Sequence, residues 1–524
     1  MSQKEKAKKK FIIFHPFLFA IFPVVVIYSQ NLNLLLPKDI IFPLLLFLGF
    51  AVGIWSILHL IFKDLVKTGL ITSLSIFLFF AYGHITSILY DSIIKETTYK
   101  EHIVLLIVFL FVLIIIGRYF IKTKRSLNNA TTITSVIAIS LFIFPLATTG
   151  SHFFQQDYSI DEIDGVNTNF STDTGNFGQL PDIYFIILDS YADYNILKDL
   201  FNFDNIEFLS YLSEKDFFVQ EKTFSNYPSS PLSIPSMLNM EYINYLTDEV
   251  GVDSSNRYLV HKMIDNNKAM QIVKSKGYVT VNLDSGWQPT RYISTADLNL
   301  CGKNQLLNSQ VIVTMIRNSM LNPIYVKIFE SDYRDRILCI FSKIPEIQHE
   351  LDHPAFIFSH ILLPHGPYYW GPNGEHIIPE KATLEGFSQD IEGYTNQLQF
   401  TNNKVKEMID KILTESDIPP VIIIVSDHGT MLNYNSDNVT DEFIKERMSA
   451  VQFIYLPGEG KDLLYDGITP VNTLRVVFNS YLGENFDYLE DRNYFSTDDA
   501  LYKWLDVTEF LRENKEVDVG FFND

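Results

Sequence analysis

The chain has 524 residues, with 41 Lys and Arg against 62 Asp and Glu, and only two cysteines. It is too long for one compact domain, and two cysteines exclude a zinc ribbon or a multi-disulfide scaffold. Charge is uneven: residues 1–150 hold 14 basic and 6 acidic residues, leaving 27 and 56 for residues 151–524. So acidic a remainder excludes gripping a nucleic-acid backbone by counterion release, and no nucleic-acid partner is expected.

In chain order, five apolar segments near 11–29, 40–62, 69–90, 102–121 and 131–149 are long enough to cross a hydrocarbon layer of about 30 Å. Basic residues alternate between their connections. Lys4, Lys6, Lys8, Lys9 and Lys10 precede the first segment, Lys63 and Lys67 follow the second, and Arg118, Lys122, Lys124 and Arg125 follow the fourth. The positive-inside rule then puts the N-terminus in the cytoplasm and everything after residue 150 outside the plasma membrane. His15, His59 and His84 lie at membrane depth and read as histidines near helix ends or facing other helices. Residues 1–150 are expected to form a five-helix transmembrane domain in the lipid bilayer. Residues 151–180 are polar and rich in Gly, Ser, Thr and Asn, and read as an extracytoplasmic linker.

From residue 181 to 524, short apolar runs alternate with amphipathic stretches. Strands are expected at 183–189, 278–284, 355–363, 421–427 and 451–457, and helices at 204–217, 257–275, 303–318 and 388–414. Such alternation predicts an α/β domain whose mostly parallel sheet is flanked by helices, with ligands bound beyond the carboxyl ends of the strands. Cys301 and Cys339 both fall in this outer domain, and their pairing is left open.

Polar groups of interest sit at those strand ends. Asp189 closes IYFIILD, His365 follows AFIFSHILL in the segment LPHGPYY, and Asp427 and His428 close VIIIVSDH. A fourth element, NYPSSPLSIPSMLNM, offers Ser229 and Ser230 ahead of a helix. There Ser230 is expected as N-cap with Pro231 at the first helical position, although Pro235 could delay the helix until after Ser233. A seryl hydroxyl needs activation to act as a nucleophile. A divalent cation held by Asp189, Asp427 and His428 would lower its pKa and neutralise charge on an anionic ester. His365 is placed to touch an ester oxygen or protonate the leaving group. Carboxylate, imidazole and hydroxyl ligands suit Mn, Mg or Zn.

These residues, in this order, resemble the alkaline phosphatase and sulfatase superfamily, specifically its membrane branch, similar to lipoteichoic acid synthases and phosphoethanolamine transferases. The resemblance covers the whole chain in layout and about 181–490 in motifs. It implies an alkaline phosphatase-like catalytic domain with Asp189, Ser230, Asp427 and His428 as ligands of one metal ion. It also implies Ser230 as nucleophile with His365 as its catalytic partner, and Ser229, His360 and His365 as substrate contacts. Ser229 is the fallback nucleophile. The segment 468–483 looks like a late helix of membrane sulfatase-like proteins. Two departures narrow the activity. Ser229-Ser230-Pro231-Leu232-Ser233 lacks the Arg of the sulfatase Cys/Ser-x-Pro-x-Arg motif, and no histidine follows His428 to complete a second metal site. The expectation is a membrane-anchored phosphoester transferase or hydrolase, of phosphoglycerol or phosphoethanolamine type, acting on a lipid or surface glycan. The alternatives are a sulfatase-like hydrolase of anionic glycans and a catalytically silent membrane scaffold or sensor.

Overall fold

The computed structural model describes residues 13–32, 35, 37–92, 99–155, 180–220, 222–302, 309–377, 390–434, 438–513, 515 and 522. The N-terminal lysines and most of the 151–180 linker lie outside the described residues. The chain divides into two compact units, one of residues 1–166 with 304–329, the other of 167–303 with 330–524.

The first unit is helical: α1 (His15–Gln30), α2 (Ile41–Phe62), α3 (Leu65–Ser92), α4 (Tyr99–Lys122), α5 (Asn128–Ser140) and α6 (Ile143–Gln155). Among the described residues, four helical stretches are long and apolar enough to cross a membrane: Pro37–Phe62, Leu65–Thr86, Ile103–Lys122 and Asn128–Ser151. His15–Gln30 is a shorter apolar helix in the place of the first expected span. Apolar side chains such as Leu60 (75% exposed), Ile57 and Phe144 point outward, the arrangement for hydrocarbon rather than water. Small residues let the helices approach: Ala20, Val24 and Ala51 are wholly buried in the core that α1, α2 and α3 share. His15 is buried, with Nδ1 2.6 Å from Ser73 Oγ of α3, so it faces another helix. The segment 304–329 leaves the outer part of the sequence to join this unit. Val311 and Met315, from helix Gln310–Arg317, are buried in the same core, and Gly83 N donates to Asn318 O.

The second unit is built on a seven-stranded sheet of order β2-β7-β6-β1-β5-β3-β4. Its strands are β1 (Ile183–Leu188), β2 (Phe218–Val219), β3 (Val279–Leu283), β4 (Leu298–Leu300), β5 (Ala355–Ile361), β6 (Val421–Val425) and β7 (Gln452–Tyr455). Strands β6, β1, β5, β3 and β4 are parallel, while β7 and β2 close one edge antiparallel. Tyr184, Ile186 and Leu188 of the central β1 enter one core, while Ile183, Phe185 and Ile187 enter the other. With both faces covered, β1 reads as a continuous apolar run, and each buried Ile or Leu contributes about 1.5–3 kcal/mol. β8 (Tyr494–Phe495) and β9 (Leu505–Asp506) form a separate small ladder.

Two details differ from expectation. The serine helix begins at Ser230 and runs to Asn239 straight through Pro235, with Ser229 as its N-cap and no side-chain cap bond. Pro235 is tolerated because it falls in the second turn, where a single i→i−4 bond is lost. The stretch expected as one helix at 257–275 is two, Tyr258–Asp265 and Lys268–Ser275, divided where Asn267 caps the second by accepting from Met270 N. Cys301 and Cys339 are joined as a disulfide.

Candidate active site

The carboxyl ends of three adjacent strands converge. β1 pairs with β5 and β6 in a register that sets Ile187 beside His360 and Val425, so Asp189, Asp427 and His428 emerge together just beyond the sheet. The ligand atoms of Asp189, Asp427 and His428 all lie within 4.8 Å of one another, and all three residues are buried. Nε2 of His428 is 3.6 Å from Asp189 Oδ1 and 3.4 Å from Asp427 Oδ2. Nε2 of His360 approaches from β5, 3.6 Å from Asp189 Oδ2 and 3.9 Å from Asp427 Oδ2. Ser230 Oγ, at the start of its helix, is 3.2 Å from His428 Nε2.

Separations of 3.4–3.9 Å are too long for hydrogen bonds. They match the edges, about 3.4 Å, between ligands that share one cation at bond lengths of 2.0–2.2 Å. Asp189 Oδ1, Asp427 Oδ2 and His360 Nε2 are buried without a hydrogen-bond partner. Two buried carboxylates facing each other with unsatisfied oxygens require a compensating positive charge. The residues present therefore fit a divalent cation, with Asp189, Asp427, His428 and Ser230 as the natural donors and His360 aimed at the same point.

Local bonds fix each group. His428 Nδ1 is 2.9 Å from Gly429 O, which can only accept, so Nδ1 carries the proton and Nε2 presents its lone pair to the centre. Ser426 Oγ donates to His428 O and accepts from Tyr191 N, holding the β6 loop against the β1 loop. Ser190 adopts φ 61°, a left-handed conformation that bends the chain so that its N–H points at Asp427 Oδ1 and its Oγ lies 3.3 Å from His428 Nδ1. His360 Nδ1 is 3.0 Å from Thr290 Oγ1, and Trp287 packs edge-on against the imidazole. His365 is tied to the site through its backbone, donating to Asp189 O, while Gln397 donates to His365 O at 2.8 Å. Its imidazole Nδ1 lies 2.6 Å from Gly366 O, which leaves Nε2 as the working nitrogen. Burial alone would raise the Asp189 carboxyl, but the imidazoles of His365, His360 and His428 outweigh it and hold that carboxyl well below the usual range. Burial, aided by Arg447, lowers His428 and keeps it neutral.

The structure thus gathers Asp189, Ser230, His360, Asp427 and His428, with His365 on the adjoining loop. Ser229 Oγ is buried and has no hydrogen-bond partner. Sequence reasoning missed Ser190, Thr290, Trp287, Ser426 and Arg447. Only Ser190 and Ser426 carried a signal, as neighbours of the strand-end acids.

Fold and site together define an enzyme of the sulfatase kind. The family model described as Sulfatase matches residues 181–508, and the chain belongs to that family. No curated protein matches. Among solved structures, the chain is similar to the C-terminal periplasmic domain of EcEptC from Escherichia coli in complex with Zn. There identity is 13% over 67% of this chain and 98% of that one, with TM-score 0.42. It is also similar to the integral membrane lipooligosaccharide phosphoethanolamine transferase A of Neisseria meningitidis, at 11% identity over 89% and 95% of the two chains and TM-score 0.37. A 4S-sulfatase from Bacteroides thetaiotaomicron is similar at 12% identity, over 63% and 84%, with TM-score 0.37. At these scores the likeness is coarse, and membership rests on the family match.

Proposed function

We propose that this protein is a membrane-anchored, metal-dependent phosphoester transferase or hydrolase that works outside the cytoplasm through a covalent phospho-Ser230 intermediate. The observation that carries the reading is the convergence of a half-buried seryl hydroxyl with the buried Asp189, Asp427 and His428, where Asp189 Oδ1 and Asp427 Oδ2 have no hydrogen-bond partner. Residues 1–150 serve as the transmembrane domain with a cytoplasmic N-terminus, 151–180 as the linker and 181–524 as the catalytic domain. The donor is an anionic phosphoester of lipid or glycan type, consistent with the phosphoethanolamine transferases among its structural relatives.

One divalent ion (Mn, Mg or Zn) would be held by Asp189, Ser230, Asp427 and His428; when bound, it lowers the pKa of the seryl hydroxyl and neutralises charge on the ester oxygens. Ser230 Oγ, its proton released to solvent, forms a bond to phosphorus as the bond to the leaving oxygen breaks. The start of helix Ser230–Asn239 supplies backbone N–H groups and a partial positive charge at the attacked oxygens. His365 gives a proton from Nε2 to the leaving oxygen; His360 and Ser229 contact the substrate. An acceptor hydroxyl or water, passing its proton to His365 Nε2, then displaces Ser230 Oγ from phosphorus, and the seryl oxygen takes a proton from solvent to regenerate the serine.

The test uses the full-length protein in detergent with an aryl phosphodiester. Wild type should bind about one divalent ion and turn the diester over, and Ser230→Ala should lower turnover by about a thousandfold or more, while Ser229→Ala should weaken turnover without abolishing it. Turnover that survives Ser230→Ala defeats the covalent mechanism, and turnover of aryl sulfate alone transfers the protein to the sulfatase reading.

A further inference from the structure

We infer that Arg447 is a positioning residue for the reaction at Ser230, its guanidinium tying the loop that delivers the serine to the loop that delivers Asp427 and His428. The inference rests on the reading of Ser230 as nucleophile. Arg447 lies in the last turn of helix Asp441–Met448. Its Nε donates to Pro228 O at 2.6 Å, two residues before Ser230. Its Nη1 donates to Gly429 O at 3.1 Å, the residue after His428. That carbonyl is also the one that receives the His428 Nδ1 proton, so one oxygen sets the imidazole and is itself held by the guanidinium.

The backbone around Arg447 repeats the same connection. Gly429 N donates to Arg447 O at 2.7 Å, and Ser225 N donates to Met448 O at 2.8 Å. A side chain at 429 would overlap the backbone carbonyls of Glu446 and Ser449, so glycine there lets the metal loop lie flat on the helix end. The Glu446 carboxylate, fully buried, takes Thr430 Oγ1, Leu432 N and Asn433 N and fastens the rest of that loop. The last turn of this helix is thus a common base for both loops, and the Ser230–His428 contact of 3.2 Å is set by the way each loop sits on it. A planar fork suits this task, because it spans two fixed carbonyls at once where an ammonium acts as a point charge. Arg447 and Ser229 also line a cavity of about 290 Å³, so direct substrate binding is the competing role.

The experiment compares full-length wild type, Arg447→Lys and Arg447→Met in detergent. It measures thermal midpoint, bound divalent ion, and kcat and KM on an aryl phosphodiester. A displacement of about 1 Å at Ser230 should lower kcat in Arg447→Met by about 100-fold. KM and metal content should stay near wild type, and added ethylguanidinium should recover part of kcat. Arg447→Lys should lose less, again in kcat. A rise in KM that accounts for the whole loss assigns Arg447 to substrate binding and overturns the inference, as does loss of metal together with kcat. If Arg447→Met does not fold, Arg447→Lys decides alone: wild-type kcat there overturns the inference, and reduced kcat at unchanged KM supports it. Turnover retained by both Ser230→Ala and Asp427→Asn would defeat the underlying reading instead. Wild-type kcat in the Arg447 variants while those two are inactive defeats only this inference.

Discussion

The two units differ in whether unpaired polar groups gather at one point. In the helical unit, several hydroxyls bond within their own helix, Thr72 Oγ1 donating to Thr68 O, Ser75 Oγ to Ile71 O and Thr86 Oγ1 to Gly83 O, while buried Ser73 pairs with His15 of another helix. Among the described residues, its unpaired buried side-chain atoms, His15 Nε2, Trp55 Nε1 and Thr149 Oγ1, sit on three different helices. In the α/β unit, Asp189 Oδ1, Asp427 Oδ2 and His360 Nε2 are unpaired at a single point. A lone unsatisfied group is a stability cost, whereas several converging on one spot mark where a ligand completes the structure.

That contrast breaks most readily at Asp427. Asp427→Asn should weaken divalent-ion binding by more than about 100-fold and abolish ester turnover, as measured by titration calorimetry and product release. Metal affinity equal to wild type would make the convergence a packing accident. Next in size is the disulfide. Cys301→Ser with Cys339→Ser opens a link spanning 38 positions and should cost about 2–4 kcal/mol in denaturant unfolding of the α/β unit, with metal binding retained. An unchanged unfolding midpoint would show that the link is dispensable.

A pH-dependent effect comes third. Burial lowers His261 to about 4 from 6.5, with Arg257 adding to it. The folded state therefore binds fewer protons there than the unfolded chain. Stability should be unaffected above pH 6.5 and decline as pH falls from 6.5 toward 4, by at most about 3 kcal/mol. His261→Gln should flatten that part of the curve, and an identical acid limb in the variant would refute the assignment. The smallest effect is expected in the helical unit: Thr72→Val should change stability by under about 1 kcal/mol, because Thr72 bonds only within its own helix. A loss of several kcal/mol in thermal unfolding would mean that polar groups there matter between helices as well.

The central strands were legible because parallel strands buried on both faces must be continuously apolar, and the acids that follow β1 and β6 stand out. β2 and β4 were not, since two or three residues carry no period. Asp189, Asp427 and His428 were readable as strand-end groups, and Ser230 through its proline neighbour. Ser190 was marked only by standing beside Asp189; its role depends on φ 61°, which no residue type but glycine announces. Arg447 was invisible for another reason: its partners are main-chain carbonyls more than 200 and 18 residues away, and a carbonyl has no letter in the sequence. The segment 303–318 gave its helix but not its destination, since an amphipathic face does not name what it will cover.

That destination has a practical consequence. Val311 and Met315 are buried in a core with apolar residues of helices near the start of the chain. A secreted fragment beginning near residue 180 would carry the whole sheet yet present this helix bare to water, inviting self-association. Deleting 304–329, or keeping the first helices, is the way to obtain a well-behaved sample.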